Sequence, residues 1–200
     1  MHRFVWDLHE ARPPVRSFRY TIAAVRRDGT PAVPLGPFVL PGRYTVTLEA
    51  GGRRVTQPLE VRLDPRLDVG LPDLEAQLAL TREIESLLRL AWSAHDEAQA
   101  ALKAGRRSLE PATADSIAAI ATRGDASLSG LAGSLTQLYG SVQAADAAPT
   151  QGQREAFAAC RLRVAGLVER WKRLSAALVP GGGSAPRPPV PSGSNRKEDR

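Results

Sequence analysis

Two adjacent glycines, Gly51 and Gly52, constrain this chain more than any other pair of residues. They sit inside residues 41–66, PGRYTVTLEAGGRRVTQPLEVRLDPR. Tyr44, Val46, Leu48 and Ala50 alternate with Thr45, Thr47 and Glu49, the period of a half-buried strand. A primed two-residue turn needs φ > 0, which glycine supplies without steric cost. That turn sets Leu48 opposite Val55 and Tyr44 opposite Leu59, so apolar residues share one face. A three-residue loop sets Glu49 opposite Val55 and spoils it. The register leaves Gln57 opposite Val46, a polar intrusion. Pro58 has no N–H and marks an edge or a bulge. The segment reads as the last hairpin of a β-sandwich, and only some forty residues precede it.

Those residues are also strand-like. Residues 4–8 form a short apolar strand carrying Trp6, and Phe18, Tyr20 and Ile22 alternate with Arg19 and Thr21. Residues 31–37 read as a loop. The expected unit over 1–66 is a partial sandwich, short of its early strands and with an exposed edge. Trp6 and Tyr44 are expected to be core residues, the tyrosine hydroxyl hydrogen-bonding back to the backbone.

Residues 72–179 change period. Leu80, Ile84, Leu87, Ala91, Ala94, Ala98 and Ala101 repeat at 4-3 spacing over a helix predicted at 73–103, about 46 Å long, ending at Gly105 with Arg106 and Arg107. Ile117, Ala118 and Ile120 suggest a short helix before a break at Gly124-Asp125. Leu128, Leu131, Leu135, Leu138, Val142 and Ala145 define a second long helix, which Gly130, Gly133 and Gly140 weaken by about 1 kcal/mol each. After Pro149, Thr150 and Gln153 form a capping box. The helix it opens carries Phe157, Cys160, Val164, Val168, Trp171, Leu174 and Leu178. Three such stripes bury each other as an antiparallel bundle. Residues 180–200, rich in glycine, proline and serine, are expected to be disordered. The fold class is therefore α+β: a partial Ig-like β-sandwich, an antiparallel three-helix bundle and a disordered tail.

No reaction centre is legible. Cys160 is the only cysteine, which excludes an intrachain disulfide, and it reads as a small apolar helix residue. His2, His9 and His95 show no ligand spacing, and His95 reads as a solvated or rim residue. Glu75, Glu83, Glu85, Asp96 and Glu97 read as surface charges of one helix, not as an acid/base pair. No phosphate-binding or nucleophile motif is present; Gly181-Gly182-Gly183 is linker chemistry. The expectation is no catalytic, cofactor-binding or metal residue and no cofactor. The net charge is +6, but the arginines are scattered as short pairs. Nucleic acid is therefore not expected as a partner. No window approaches a membrane span. The first residues, MHRFVWDLHEARPP, lack the pattern of a signal peptide, and the chain made alone is expected to stay cytoplasmic.

FVWDLHEARPPVRSFRYTIAAV, followed by GPFVLPGRYTVTLEAGGRRVTQPLEVRLDPR, resembles the Ig-like domain that follows the β-propeller in bacterial sortilin-type, BNR/Asp-box glycosyl hydrolase-like proteins. QAADAAPTQGQREAFAACRLRVAGLVERWKRL resembles their helical C-terminus, so the likeness spans residues 3–178. It implies a secreted or envelope multidomain protein whose propeller carries the Asp boxes and any sugar-processing site. This chain has no S-x-D-x-G-x-T-W box, so no catalytic residue carries over. The implied role is a non-catalytic accessory module at the C-terminus of such a protein, with a protein partner: the propeller or a separate chain. The competing readings are part of an active glycoside hydrolase, with the site on the propeller, and a basic nucleic-acid-binding protein. The sequence names no glycan.

Overall fold

The computed structural model describes residues 3–16, 33–105 and 108–178. The strand expected at 18–22, the Arg106–Arg107 pair, His2 and the tail at 180–200 lie outside the described residues. The protein is α+β: a two-stranded antiparallel sheet, β1 (Gly42–Ala50) and β2 (Arg53–Val61), precedes four helices. These are α1 (Leu71–Ala104), α2 (Pro111–Ala121), α3 (Leu128–Val142) and α4 (Gln151–Leu178).

The hairpin has the register its glycines require. Leu48 pairs with Val55, Val46 with Gln57 and Tyr44 with Leu59. Gly51 and Gly52 have φ of 55° and 73°, the left-handed values of a primed turn. The pairing runs from Gly42–Val61 to Ala50–Arg53 without interruption, so Pro58 marks an edge and not a bulge.

The strand expected at residues 4–8 is not formed. Leu8 has φ of 62°, and its neighbours close a tight turn: Trp6 Nε1 donates to the His9 carbonyl at 3.1 Å, and Asp7 Oδ1 accepts from the His9 N–H at 3.2 Å. Beyond that turn the chain makes one bridge, His9 to Phe38, with Glu10 N–H to the Pro37 carbonyl at 2.8 Å and Val39 N–H to the Leu8 carbonyl at 2.9 Å. Gly36 permits this approach, because a Cβ there would lie 2.2 Å from the Glu10 carbonyl oxygen. Among the described residues, the hairpin is thus the only sheet, where a partial sandwich was expected.

α1 is the central helix, in contact with α2, α3 and α4. Its predicted stripe is buried from Leu80 to Ala98, and Gly105 caps its end with an N–H to the Ala101 carbonyl at 2.9 Å. Three helices become four because residues 111–121 close into a full helix. Pro111 starts it, and Ile117, Ile120 and Ala121 are buried against the long helices. α3 begins at Ser127, whose hydroxyl accepts from Gly130 N–H, after Gly124 turns the chain with φ of 75°. α4 opens on the expected capping box. Thr150 N–H donates to Gln153 Oε1 at 2.9 Å, and Gln153 N–H donates to Thr150 Oγ1 at 3.2 Å. Phe157, Val164, Val168 and Trp171 are its buried stripe; Cys160, Leu174 and Leu178 pack at its margin.

Candidate functional site

Two features depart from what an inert helical bundle needs. The first is a buried polar seam. Gln77, Thr81 and Glu85 recur every four residues along α1, and all three are buried among leucines. Gln77 Nε2 donates to the Val142 and Ala145 carbonyls at 2.7 and 2.6 Å, satisfying acceptors at the end of α3. Thr81 Oγ1 accepts from Gln143 Nε2 at 2.7 Å. Tyr139, fully buried on α3, donates its hydroxyl to the Leu35 carbonyl at 2.9 Å and so ties down the segment that leads into the hairpin. The seam stitches α1 to α3 and fixes the covering chain.

Glu85 is the exception within it. It was expected among surface charges, yet it is 8% exposed, because α1 is covered on several sides and its polar face is narrower than the sequence suggests. Its Oε2 accepts from Arg89 at 3.0 Å, and its Oε1 has no hydrogen-bond partner among the described residues. Burial pushes its carboxyl above the usual range, against the opposing pull of Arg89. Burial, with the charges of Glu85 and Glu10, also pushes the Tyr139 hydroxyl far up, so it serves as a donor. Glu10 is held by Arg82 at 2.6 Å. Each acid therefore has its own cation, which is the arrangement of structural ion pairs.

The other singled-out residues also have structural partners. His9 Nδ1 donates to the Gly36 carbonyl at 2.6 Å while its ring stacks on Phe38, centroids 3.9 Å apart. His95 sits at a rim, edge-on to Trp92 and 3.2 Å from Asp96. Arg16 lies 4.2 Å over the Trp92 ring and grips Asp96 through two hydrogen bonds of 2.8 and 2.5 Å. Those bonds hold the Asp96 carboxyl down to about 2. Glu75 and Glu83 are exposed; Glu97 accepts from Trp171. Burial raises the Cys160 thiol above its ordinary value, which disfavours the thiolate. Among the described residues, no three His, Cys, Asp or Glu side chains are placed to hold a metal ion.

The second feature is the hairpin, and it is the candidate site. It packs on none of the described helices. One face carries Tyr44, Val46, Leu48, Val55 and Leu59, and of these Val46, Leu48 and Val55 are 50%, 65% and 55% exposed. The other carries Arg43, Thr45, Thr47, Glu49, Arg54 and Thr56. Its base is anchored: Tyr44 donates its hydroxyl to the Leu40 carbonyl at 2.6 Å, as expected, and meets Trp6 edge-on at 5.8 Å. Trp6 is half-buried and covers only this end. Gln57 ceases to be an anomaly, since its face meets water.

The edges differ. In a two-residue turn the flanking pair, Ala50 and Arg53, is hydrogen-bonded, and bonded pairs alternate from there. Arg43, Thr45, Thr47 and Glu49 therefore turn their N–H and C=O groups away from β2. Pro58 faces Thr45, a position whose N–H would point outward, so β2 lacks a donor at the middle of its free edge. β1 has every donor on its own. Sequence reasoning located both strands but assigned their apolar face to a core.

Neither a family model, nor a curated protein, nor a solved structure matches this chain.

Proposed function

We propose that this protein is a non-catalytic interaction module: a helical body that presents a β-hairpin to another protein chain. One observation carries the reading. The hairpin is in contact with none of the described helices, yet its Val46–Leu48–Val55 face is apolar and open. A two-stranded hairpin is marginal alone and gains stability when more strands or a packing surface join it. Glu10, Glu85 and Asp96 are engaged in ion pairs and His9 in a backbone hydrogen bond, which favours a structural role for them over catalysis. Arg16, Arg54, Arg62, Arg66, Arg82, Arg89 and Arg123 each pair with a carboxylate, which disfavours a nucleic-acid surface. Among the described residues no helix is long and apolar enough to cross a membrane.

The Tyr44 hydroxyl on the Leu40 carbonyl favours an Ig-like reading of the hairpin. In that second reading, a sheet supplied by another chain, such as a propeller-bearing sortilin-type protein, completes a sandwich over the Val46 face.

The test replaces residues 42–61 by a short glycine-serine linker. The helical circular dichroism and melting of the body should be unchanged, because no helix rests on the hairpin. Collapse of the helical signal would overturn the module reading. So would turnover of aryl glycosides or sialosides by the pure protein, abolished by one carboxylate substitution.

A further inference from the structure

Among the described residues the outer edge of β1 is free, and it is complementary to itself. Placed antiparallel to a second β1 about a two-fold axis at Val46, the strand sets Arg43 opposite Glu49 of the second copy and Thr45 opposite Thr47. On the apolar face the same register sets Tyr44 opposite Leu48 and Val46 opposite itself. Opposite charges, an aromatic with an aliphatic, and two threonines are the pairs that stabilise antiparallel strands.

The backbone phase agrees. Arg43, Thr45, Thr47 and Glu49 carry the outward N–H and C=O groups, and in this register they face one another as hydrogen-bonded pairs. A slip by one residue turns these groups away from each other. A slip by two leaves Arg43 opposite Thr47 or Gly51. The charge pattern continues across both hairpins: Glu60 and Arg43 of one copy are followed by Glu49 and Arg54 of the other, and Glu49 already lies 3.3 Å from Arg54. Arg43 has no ion pair within its own chain among the described residues, so the second copy supplies its partner.

We propose that two copies of this protein pair through their β1 edges into a four-stranded antiparallel sheet with one continuous apolar face. The proposal rests on the reading of the hairpin as a contact element and names its occupant. Pro58 gives the pairing its direction, since it disables the β2 edge and leaves one edge per chain; the product is a closed dimer and not a fibre.

The experiment is sedimentation of the full chain up to about 100 µM, with charge exchange and cross-linking. The wild type should sediment as a dimer. Arg43→Glu and Glu49→Arg should each weaken it about tenfold, since two symmetric pairs become repulsive. The double exchange should restore it. In a Cys160→Ser background, Val46→Cys should form a disulfide-linked dimer under mild oxidation, because Val46 faces its own copy at a non-hydrogen-bonded position. Glu49→Cys, several residues off the axis, should not. A wild-type monomer throughout, a double exchange that stays as weak as the singles, or cross-linking at position 49 in place of 46 would overturn the proposal. A monomer whose body survives loss of the hairpin would leave the module reading standing, so the two failures are distinguishable.

Discussion

The indole N–H of Trp171 donates to the Glu97 carboxylate at 3.0 Å, joining α4 to α1 across 74 positions of chain. The ring is 4% exposed and lies on the apolar stripe of α4. Trp171→Ala should destabilise the helical body by about 3–5 kcal/mol, through lost contacts and the cavity left behind. Trp171→Phe should cost less, with about 1 kcal/mol of its loss due to the hydrogen bond. Urea denaturation followed by helical circular dichroism measures both. A loss below about 1 kcal/mol for the alanine variant would place the ring outside the cooperative core.

The glycines of α3 should respond oppositely to the same substitution. A Cβ at Gly133 meets nothing within 4 Å, so Gly133→Ala should stabilise by about 1 kcal/mol through helix propensity. A Cβ at Gly130 would lie 2.6 Å from the Asp125 Cα and the Gly124 oxygen, both backbone atoms. Gly130→Ala should therefore destabilise, by about 1–3 kcal/mol. Melting temperatures moving in the same direction for the two variants would contradict this.

Asp96 gives the attachment of the N-terminal segment, through Arg16, an acid limit. Its folded carboxyl titrates at about 2, below the usual value near 3.9, because Arg16 hydrogen-bonds the charged form. A depressed carboxylate contributes stability above its unfolded value and loses it as pH falls through the folded one. The Arg16–Asp96 clamp should hold at pH 5, lose its stabilising contribution from about pH 4 downward and open as pH falls through about 2. Both side chains are about half exposed, so solvent screening limits the contribution to about 1 kcal/mol or less. Trp92, beneath Arg16, is the reporter: its fluorescence in a variant lacking the other tryptophans should change over that window, and Asp96→Asn should remove the change.

Glu85 has the opposite sign. Burial raises its folded carboxyl, so its contribution is most favourable below the unfolded value and declines as pH rises through the folded one. Relative to Glu85→Gln, the wild type should gain stability as pH falls from 7 to 4.5. Paired urea titrations at the two pH values test it; a wild type that loses ground on acidification would show Arg89 outweighing burial.

What the sequence disclosed follows from the range of the interaction concerned. The turn at Gly51-Gly52, the Thr150–Gln153 cap, the Gly105 stop and the helix stripes are set by residues within a few positions of one another, and each stands where the local chemistry puts it. The burial of Glu85 and the hold of Tyr139 on Leu35 join segments far apart in the chain, and no periodicity encodes such contacts. The hairpin shows the limit most clearly. Alternation at Val46, Leu48 and Val55 revealed an apolar face, but that pattern is identical whether a core or another molecule covers it. The edge complementarity of Arg43 with Glu49 was equally present in the sequence. It became readable only when the register fixed which backbone groups point outward.

Hydrogen exchange should divide the molecule in a specific order. Ile84, Leu88, Leu131 and Leu135 are fully buried in α1 and α3, and their amides should be the slowest, opening only with the whole body. In the hairpin, Leu48 and Val46 donate to β2 and should show modest protection. Thr45, Thr47 and Glu49 turn their N–H groups outward and should exchange at close to unprotected rates in dilute protein. Raising the concentration should slow those outward amides selectively if they meet a second chain, while Thr56 on the opposite edge stays fast. Exchange measured at two concentrations with residue resolution reads this directly. Outward β1 amides already slow in a dilute monomer would mean that another part of the chain covers this edge, and the hairpin would then belong to a larger sheet of its own.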